Sequence, residues 1–389
     1  MNLSKYTSGI SSIAVLCAIP VLFSTCKKYT EHPDVILITG TETTKIVKFT
    51  VETVPSTYAV TATATGIVAE DITVNFAIDT SLVAKYNAEL AANYYPAPVG
   101  SYDISATSGV IKTGTNVSDP VTVRITSIND FVDGRSYVIP VTIKNVTGPL
   151  AVLEPSRTIF LKVARVNQFN AVDIQNPNFY DSDTFPTPYT NVRAFTFEVK
   201  CYVNAWHTGS PPISRLCNWG PVDQSMFNLL RFGEAGSQQN QLQWINSSGS
   251  VFSNTLFALG RWYTISCVYD GSTCKLYVDG TLDNSFDASG QVYTFGALEL
   301  GMSYAGYQTA QRFLGRIAEI RFWNRPLSKT EIQEGLCGVD AAASGLIAYW
   351  KLNEGSGNTF FDRTGNGRNM TWTKAPVVWN SDPANKCAQ

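Results

Sequence analysis

Gly260-Arg261-Trp262-Tyr263-Thr264-Ile265-Ser266-Cys267-Val268-Tyr269-Asp270-Gly271-Ser272-Thr273-Cys274-Lys275-Leu276-Tyr277-Val278-Asp279-Gly280 is the stretch that decides the fold. Tyr263, Ile265, Cys267 and Tyr269 fall on every second position, with Thr264 and Ser266 between them. Period two is the strand period, because successive side chains of an extended chain point to opposite faces. Asp270-Gly271-Ser272-Thr273 interrupts the run with turn chemistry: Gly takes positive φ at no steric cost, and Asp bonds its own backbone. Cys274 to Val278 then returns as a second strand, and Asp279-Gly280 marks the next turn. Upstream, Phe195 to Val203 alternates in the same way. Downstream, Phe313 to Trp323 carries another strand, ended by Asn324-Arg325-Pro326-Leu327. Ser328 and Glu331 have the spacing of a capping box, which opens a short helix.

The 389 residues suffice for two or three domains. Charged residues make up 15% and the formal net charge is -2, so no basic stripe points to nucleic acid. Composition divides the chain. All eight Trp, with Cys201, Cys217, Cys267, Cys274, Cys337 and Cys387, follow residue 200, while residues 38–166 contain neither type. That step predicts a domain boundary. Lys45 to Val51, Ile72 to Ile78, Val121 to Ile125, Tyr137 to Ile143 and Arg157 to Val163 alternate as strands. A helical insert is expected from Ser81 to Asn93, with Asp79, Thr80 and Ser81 as caps. About seven strands in roughly 130 residues predict an immunoglobulin-like β-sandwich over 38–166. Residues 167–192 lack periodicity and read as a linker, or as a first irregular excursion of the second domain, which occupies 193–389. The cysteines after residue 200 fit either disulfides or buried thiols.

Residues 1–25 read as a lipoprotein signal peptide. Lys5 precedes the apolar run Ile13 to Phe23, which is too short to span a bilayer. Phe23-Ser24-Thr25-Cys26 resembles a bacterial lipobox, which implies cleavage before Cys26 and acylation of Cys26. Each buried methylene adds about 0.8 kcal/mol, so several acyl chains hold a protein firmly. Residues 26–37 read as a polar tether. The implied location is the outer membrane, with the chain exposed at the cell surface.

Within 38–166, "ITVNFAIDTSLVAKYNAEL", "YYPAPVGSYDI" and "GRSYVIPVTI" resemble the N-terminal module of Bacteroidetes surface lipoproteins from glycan-utilisation loci. The resemblance implies a spacer or accessory platform, with outer-membrane glycan-uptake components as partners. "GRWYTISCVYDGSTCKLYVDG" together with "FLGRIAEIRFWNRPLSKTEI" resembles the laminin-G-like, concanavalin A-like family. It implies a jelly roll of two antiparallel sheets. The fold expected is therefore all-β, an immunoglobulin-like sandwich followed by a concanavalin A-like jelly roll. "GLIAYWKLNEGSGNTFFDRTGNGRNMTW" resembles segments that open such domains, yet here it follows the last helix. Too few residues remain for another jelly roll, so the tail is expected to dock back, with Cys387 pairing Cys337.

Jelly rolls of this superfamily include glycosidases, which need two carboxylates facing the scissile bond. Glu319 is the nearest candidate, but it has no acidic partner two or four positions on. Arg321 is its same-face neighbour, so a strand ion pair is the plainer reading. His32 and His207 are the two histidines, too few for a His-rich metal site or a Ser-His-Asp machine. The chain is expected not to be an enzyme. Binding has better material. Sugars present an apolar CH face and a rim of hydroxyls, which aromatic and amide side chains serve respectively. Trp206 beside His207, Trp219 beside Asn218, Trp244 with Asn246, and Tyr304, Tyr307, Gln308 and Arg312 fall at or near strand ends and are the candidate glycan contacts. Calcium is a candidate cofactor at Asp362 and Asn366, whose short oxygen side chains sit in a Gly-rich loop that a plain turn also explains. The leading expectation is a non-catalytic surface lipoprotein that binds glycan. A protein-binding adhesion or assembly role, or a divergent glycosidase, is the alternative.

Overall fold

A computed structural model describes residues 33–90, 92–174, 181–223, 225, 227–302, 309–373 and 376–388. The signal peptide, Cys26 and the early tether lie outside the described residues. The tether ends sooner than expected, because Val35–Ile38 is already a strand of the first domain.

The first domain is built on one large sheet. Its order is Ile46–Val51, Thr158–Gln168, Tyr137–Thr147, Ile72–Ile78 and Ser108–Ile111. Two three-stranded sheets close over it, one around Val35–Ile38 and one around Val121–Ile125. Alternation explains the packing: Ile72, Val74 and Phe76 turn inward, as do Val121, Val123 and Ile125, and all are buried in one core. The helix Leu82–Leu90 lies outside this core and presses Tyr86 flat on Phe160, with ring centres 3.9 Å apart.

The second domain is a sandwich of an eight-stranded and a six-stranded sheet. The central hairpin forms as the sequence predicts, from Trp262–Tyr269 and Thr273–Val278. Asp270 holds the turn by accepting from the backbone N–H groups of Ser272 and Thr273 at 3.0 and 2.9 Å. Phe195–Val203 and Gly315–Trp323 continue the eight-stranded sheet beside it. The six-stranded sheet runs Asp181–Val192, Tyr293–Leu300, Ser214–Gly220, Asn228–Phe232, Gln241–Asn246 and Gly249–Leu256. Ser328 caps the helix Lys329–Glu334 by the reciprocal bonds of a capping box.

Residues 167–192 are not a linker. Ala171–Asp173 pairs with Gly315–Trp323, and Asp181–Val192 forms the edge of the six-stranded sheet. The tail docks back into the same sandwich, as expected. Leu346–Trp350 pairs with Gly315–Trp323, and Val378–Asn380 pairs with Ala171–Asp173. Cys337 and Cys387 form a disulfide. Cys201, Cys217, Cys267 and Cys274 are free and buried, and burial pushes their thiols up, that of Cys274 to about 12. Protonated, apolar thiols are core packing rather than nucleophiles. The two domains are not beads on a string. The last strand, Lys386–Ala388, crosses back to pair with Thr158–Gln168 of the first domain.

Candidate functional site

The six-stranded sheet has an apolar inner face and a polar outer one. Residues directly opposite on neighbouring strands share a face. On the outer face one row places Glu299, Asn218, Leu229 and Ile245 side by side across four strands. The next row places Arg215, Arg231 and Gln243 side by side. Period two explains both rows: the same strands turn Cys217, Trp219, Leu230, Phe232, Leu242 and Trp244 inward to the core.

These outward polar groups are nonetheless sequestered. Arg215, Asn218 and Gln243 are 3%, 4% and 5% exposed. They are tied into bonds that fix their orientation. Asn218 Nδ2 donates to Glu299 Oε2 at 2.9 Å, Arg215 Nε donates to Gln311 Oε1 at 2.9 Å, and Arg231 Nε donates to Gln243 Oε1 at 2.8 Å. Arg231 also pairs with Glu234. Asn218 Oδ1 is buried with no partner. A buried amide acceptor without a donor costs about 1–3 kcal/mol, so Asn218 Oδ1 is an unsatisfied acceptor of this face. Leu229, 2% exposed, and half-buried Ile245 continue the row of Glu299 and Asn218.

Several contacts expected from the sequence belong elsewhere. Trp219 is core: it stacks on Phe197 at 3.8 Å between ring centres. Trp244 is fully buried and donates from Nε1 to Asn228 Oδ1 at 3.2 Å. Asn246 is 4% exposed and donates inward to Asn228 and Cys274. All three lie on the inner face of their strands, which removes them from any ligand. Trp206 is half-buried and packs on Phe232 at 5.2 Å, closing the end of the core. Arg312 stands at the margin of the outer face, where its carbonyl accepts from His207 Nε2 at 2.7 Å and its backbone bridges Arg215. Tyr304, Tyr307 and Gln308 lie outside the described residues. Arg215, Arg231, Gln243, Glu299 and Gln311 escaped the sequence reading. For those on strands the signal was a single polar side chain among apolar ones, as Arg231 is in Asn228-Leu229-Leu230-Arg231-Phe232.

Glu319 lines a cavity of about 270 Å³ at the domain junction, together with Asp133 and Lys351. It lies on the eight-stranded sheet, on the far side of the sandwich, and pairs with buried Arg321 as the plainer reading predicts. Arg321 also meets Glu198 at 3.2 Å, and Trp323 Nε1 donates to the same Glu198 oxygen at 3.1 Å. Glu319 occupies a bulge, at φ +46°, which a plain strand reading does not foresee.

The Gly-rich loop does not fit a calcium ion. Asp362 Oδ1 accepts from Tyr349 N, Thr364 N and Thr364 Oγ1 at 3.2, 3.0 and 2.7 Å, and Oδ2 accepts from Arg368 N at 3.2 Å. Asn366 donates to the Ile347 carbonyl instead of facing Asp362. Oxygens saturated by N–H and O–H donors are closing a turn. Among the described residues no group of three or more His, Cys, Asp or Glu gathers into a metal site.

A family model for an N-terminal domain matches residues 29–150, and the model of the concanavalin A-like lectin/glucanases superfamily matches residues 178–333. The second domain is a concanavalin A-like domain. The concanavalin A-like match begins before residue 193, in agreement with the strand Asp181–Val192. Among solved structures, a candidate carbohydrate-binding protein from Bacteroides ovatus is 21% identical, covers 89% of this chain and 97% of its own, and superposes with a TM-score of 0.60. It has the fold of both domains. A heptameric pentraxin from Limulus polyphemus is 13% identical over 57% of this chain and 94% of its own, with a TM-score of 0.36. No curated protein matches the chain.

Proposed function

We propose that this chain is a lipid-anchored outer-membrane lipoprotein, displayed at the cell surface, that captures glycan without cleaving it and serves a glycan-utilisation system. The carrying observation is the outer face of the six-stranded sheet, where amide, guanidinium and carboxylate groups are fixed side by side and Asn218 Oδ1 is buried without a partner. Hydroxyl-rich ligands match such a face, since each hydroxyl both donates and accepts. The concanavalin A-like fold and the Bacteroides ovatus protein of similar fold accord with this reading. Acylation at Cys26 would fix the chain to the membrane, and the first domain would hold the binding domain away from it. Glu299 is the one carboxylate of the two outer rows, and Glu234 beside them is neutralised by Arg231. That arrangement favours capture over the paired-carboxylate chemistry of a glycosidase.

The test is glycan-array and affinity-gel binding by the mature chain. We expect retention on at least one polysaccharide, weakened about tenfold by Asn218→Ala, equivalent to ~1.4 kcal/mol. No retention on any glycan removes the reading. Product release from labelled glycans that vanishes in Glu299→Gln replaces it with a glycosidase.

A further inference from the structure

Where the two domains meet, the structure holds a crevice of about 570 Å³. That lies within the range of about 300–1,000 Å³ typical of small-ligand pockets. Its walls come from three parts of the chain: Lys162 of the first domain, Lys200 and Trp262 of the eight-stranded sheet, and Lys386 of the last strand, with Phe169 between them.

Lys200 is the unexplained group. It is 5% exposed. Its ammonium donates to the Leu336 carbonyl at 2.7 Å, reaches the disulfide sulfur of Cys387 at 3.6 Å, and lies 5.2 Å from the Phe169 ring centre. An ammonium has three donors, so one is left over. The carboxylates nearby are taken: Glu334 pairs with Lys162, Asp279 with Arg261 and Glu319 with Arg321. Among the described residues Lys200 itself forms no ion pair. A lysine is almost never buried unless paired, because removing its charge from water costs several kcal/mol. Burial accordingly pushes the Lys200 pKa below the ordinary lysine value. Lys386, exposed on the last strand, is a second cation on the same crevice.

We infer that this crevice is a second ligand site, for a carboxylated saccharide of one or two uronic-acid rings. The carboxylate completes Lys200, with Lys386 behind it. The half-buried Trp262 ring, fixed by its Nε1 bond to Asn385 Oδ1 at 3.1 Å and by its edge contact with Phe169 at 5.2 Å, covers the sugar's CH face. Ser136, Thr264 and Gln333 line the remainder and suit the hydroxyls. The fold has already desolvated the ammonium, so the ligand meets a charge held in place.

The inference rests on the glycan-capture reading but names a different site and a ligand class. Its test is titration calorimetry of the mature chain with digalacturonate and, as control, neutral galactobiose. We expect digalacturonate to bind, Lys200→Met to weaken it at least tenfold, and Asn218→Ala to leave it unchanged. Methionine is of similar volume, and replacing a buried charge by an apolar chain is commonly neutral for folding. Lys386→Gln, at an exposed position, weakens the same titration about threefold by loss of one rim charge. Digalacturonate binding untouched by Lys200→Met, or abolished by Asn218→Ala, overturns the second site while leaving the outer face standing. So does the absence of any digalacturonate binding by a chain that retains neutral glycans. A chain that binds no glycan at all loses both readings.

Discussion

Arg321 shows how much a single buried residue can carry. It is 1% exposed and held between two carboxylates, Glu198 and Glu319, on the outer side of the eight-stranded sheet. Attraction to both carboxylates holds its pKa above the ordinary guanidinium value against the opposing cost of burial, while Glu319 sits below the usual carboxylate range. Arg321→Met removes the cation and leaves two buried negative charges facing each other. Breaking a buried pair in this way costs about 3–5 kcal/mol. Urea unfolding should register that loss, and a change under about 1 kcal/mol would mean the carboxylates reach water. The pair itself was legible, because Glu319 and Arg321 are two apart on a strand. Its burial was not, because alternation assigns a side chain to a face without saying what covers that face. The same limit produced the error at Trp219. Asn218 and Trp219 are adjacent, so alternation sends one to the outer face and the other to the core, and the sequence alone does not say which.

At the scale of elements the strands were the legible part. Ile72–Ile78 and Val121–Ile125 have the ends that alternation predicts, and the Asp270 turn and the Ser328 cap form as their chemistry requires. Of the two readings open for 167–192, the second domain's first excursion holds and the linker does not; Asp181–Val192 is an edge strand with the Pro and polar residues of a loop, and only long-range pairing makes it a strand. The C-terminal tail is the element whose role depends most on one covalent bond. Lys386–Ala388 is three residues long and pairs with another domain, too little to hold itself. The Cys337–Cys387 disulfide closes a segment of 50 residues and fixes the strand in place. Cys387→Ser should destabilise the chain by about 2–4 kcal/mol and expose residues beyond 380 to limited proteolysis. An unchanged digestion pattern would show that the strand docks without its bond.

For the whole molecule, the junction of the domains is a built interface rather than a tether. Asp133 of the first domain binds Lys351 of the second at 2.7 Å, and Arg135 binds Asp340 at 2.6 Å. Between them, Gly134 lies against the backbone of Val339. A Cβ at Gly134 would fall 1.8 Å from the Val339 carbonyl carbon, and its φ of +79° already favours glycine. The two ion pairs flank a contact that only glycine permits. With the last strand of the chain paired to the first domain's sheet as well, we expect the wild-type chain to unfold in one calorimetric transition. Gly134→Val forces the two backbones apart while leaving both cores intact. The variant should lose about 1–3 kcal/mol and split its melting curve into two transitions, the first domain separating from the second. A single transition retained in Gly134→Val would mean that the tail strand and its disulfide couple the domains without this contact. The crevice beside Lys200 draws its walls from both domains, so loosening the junction should also weaken any ligand bound there.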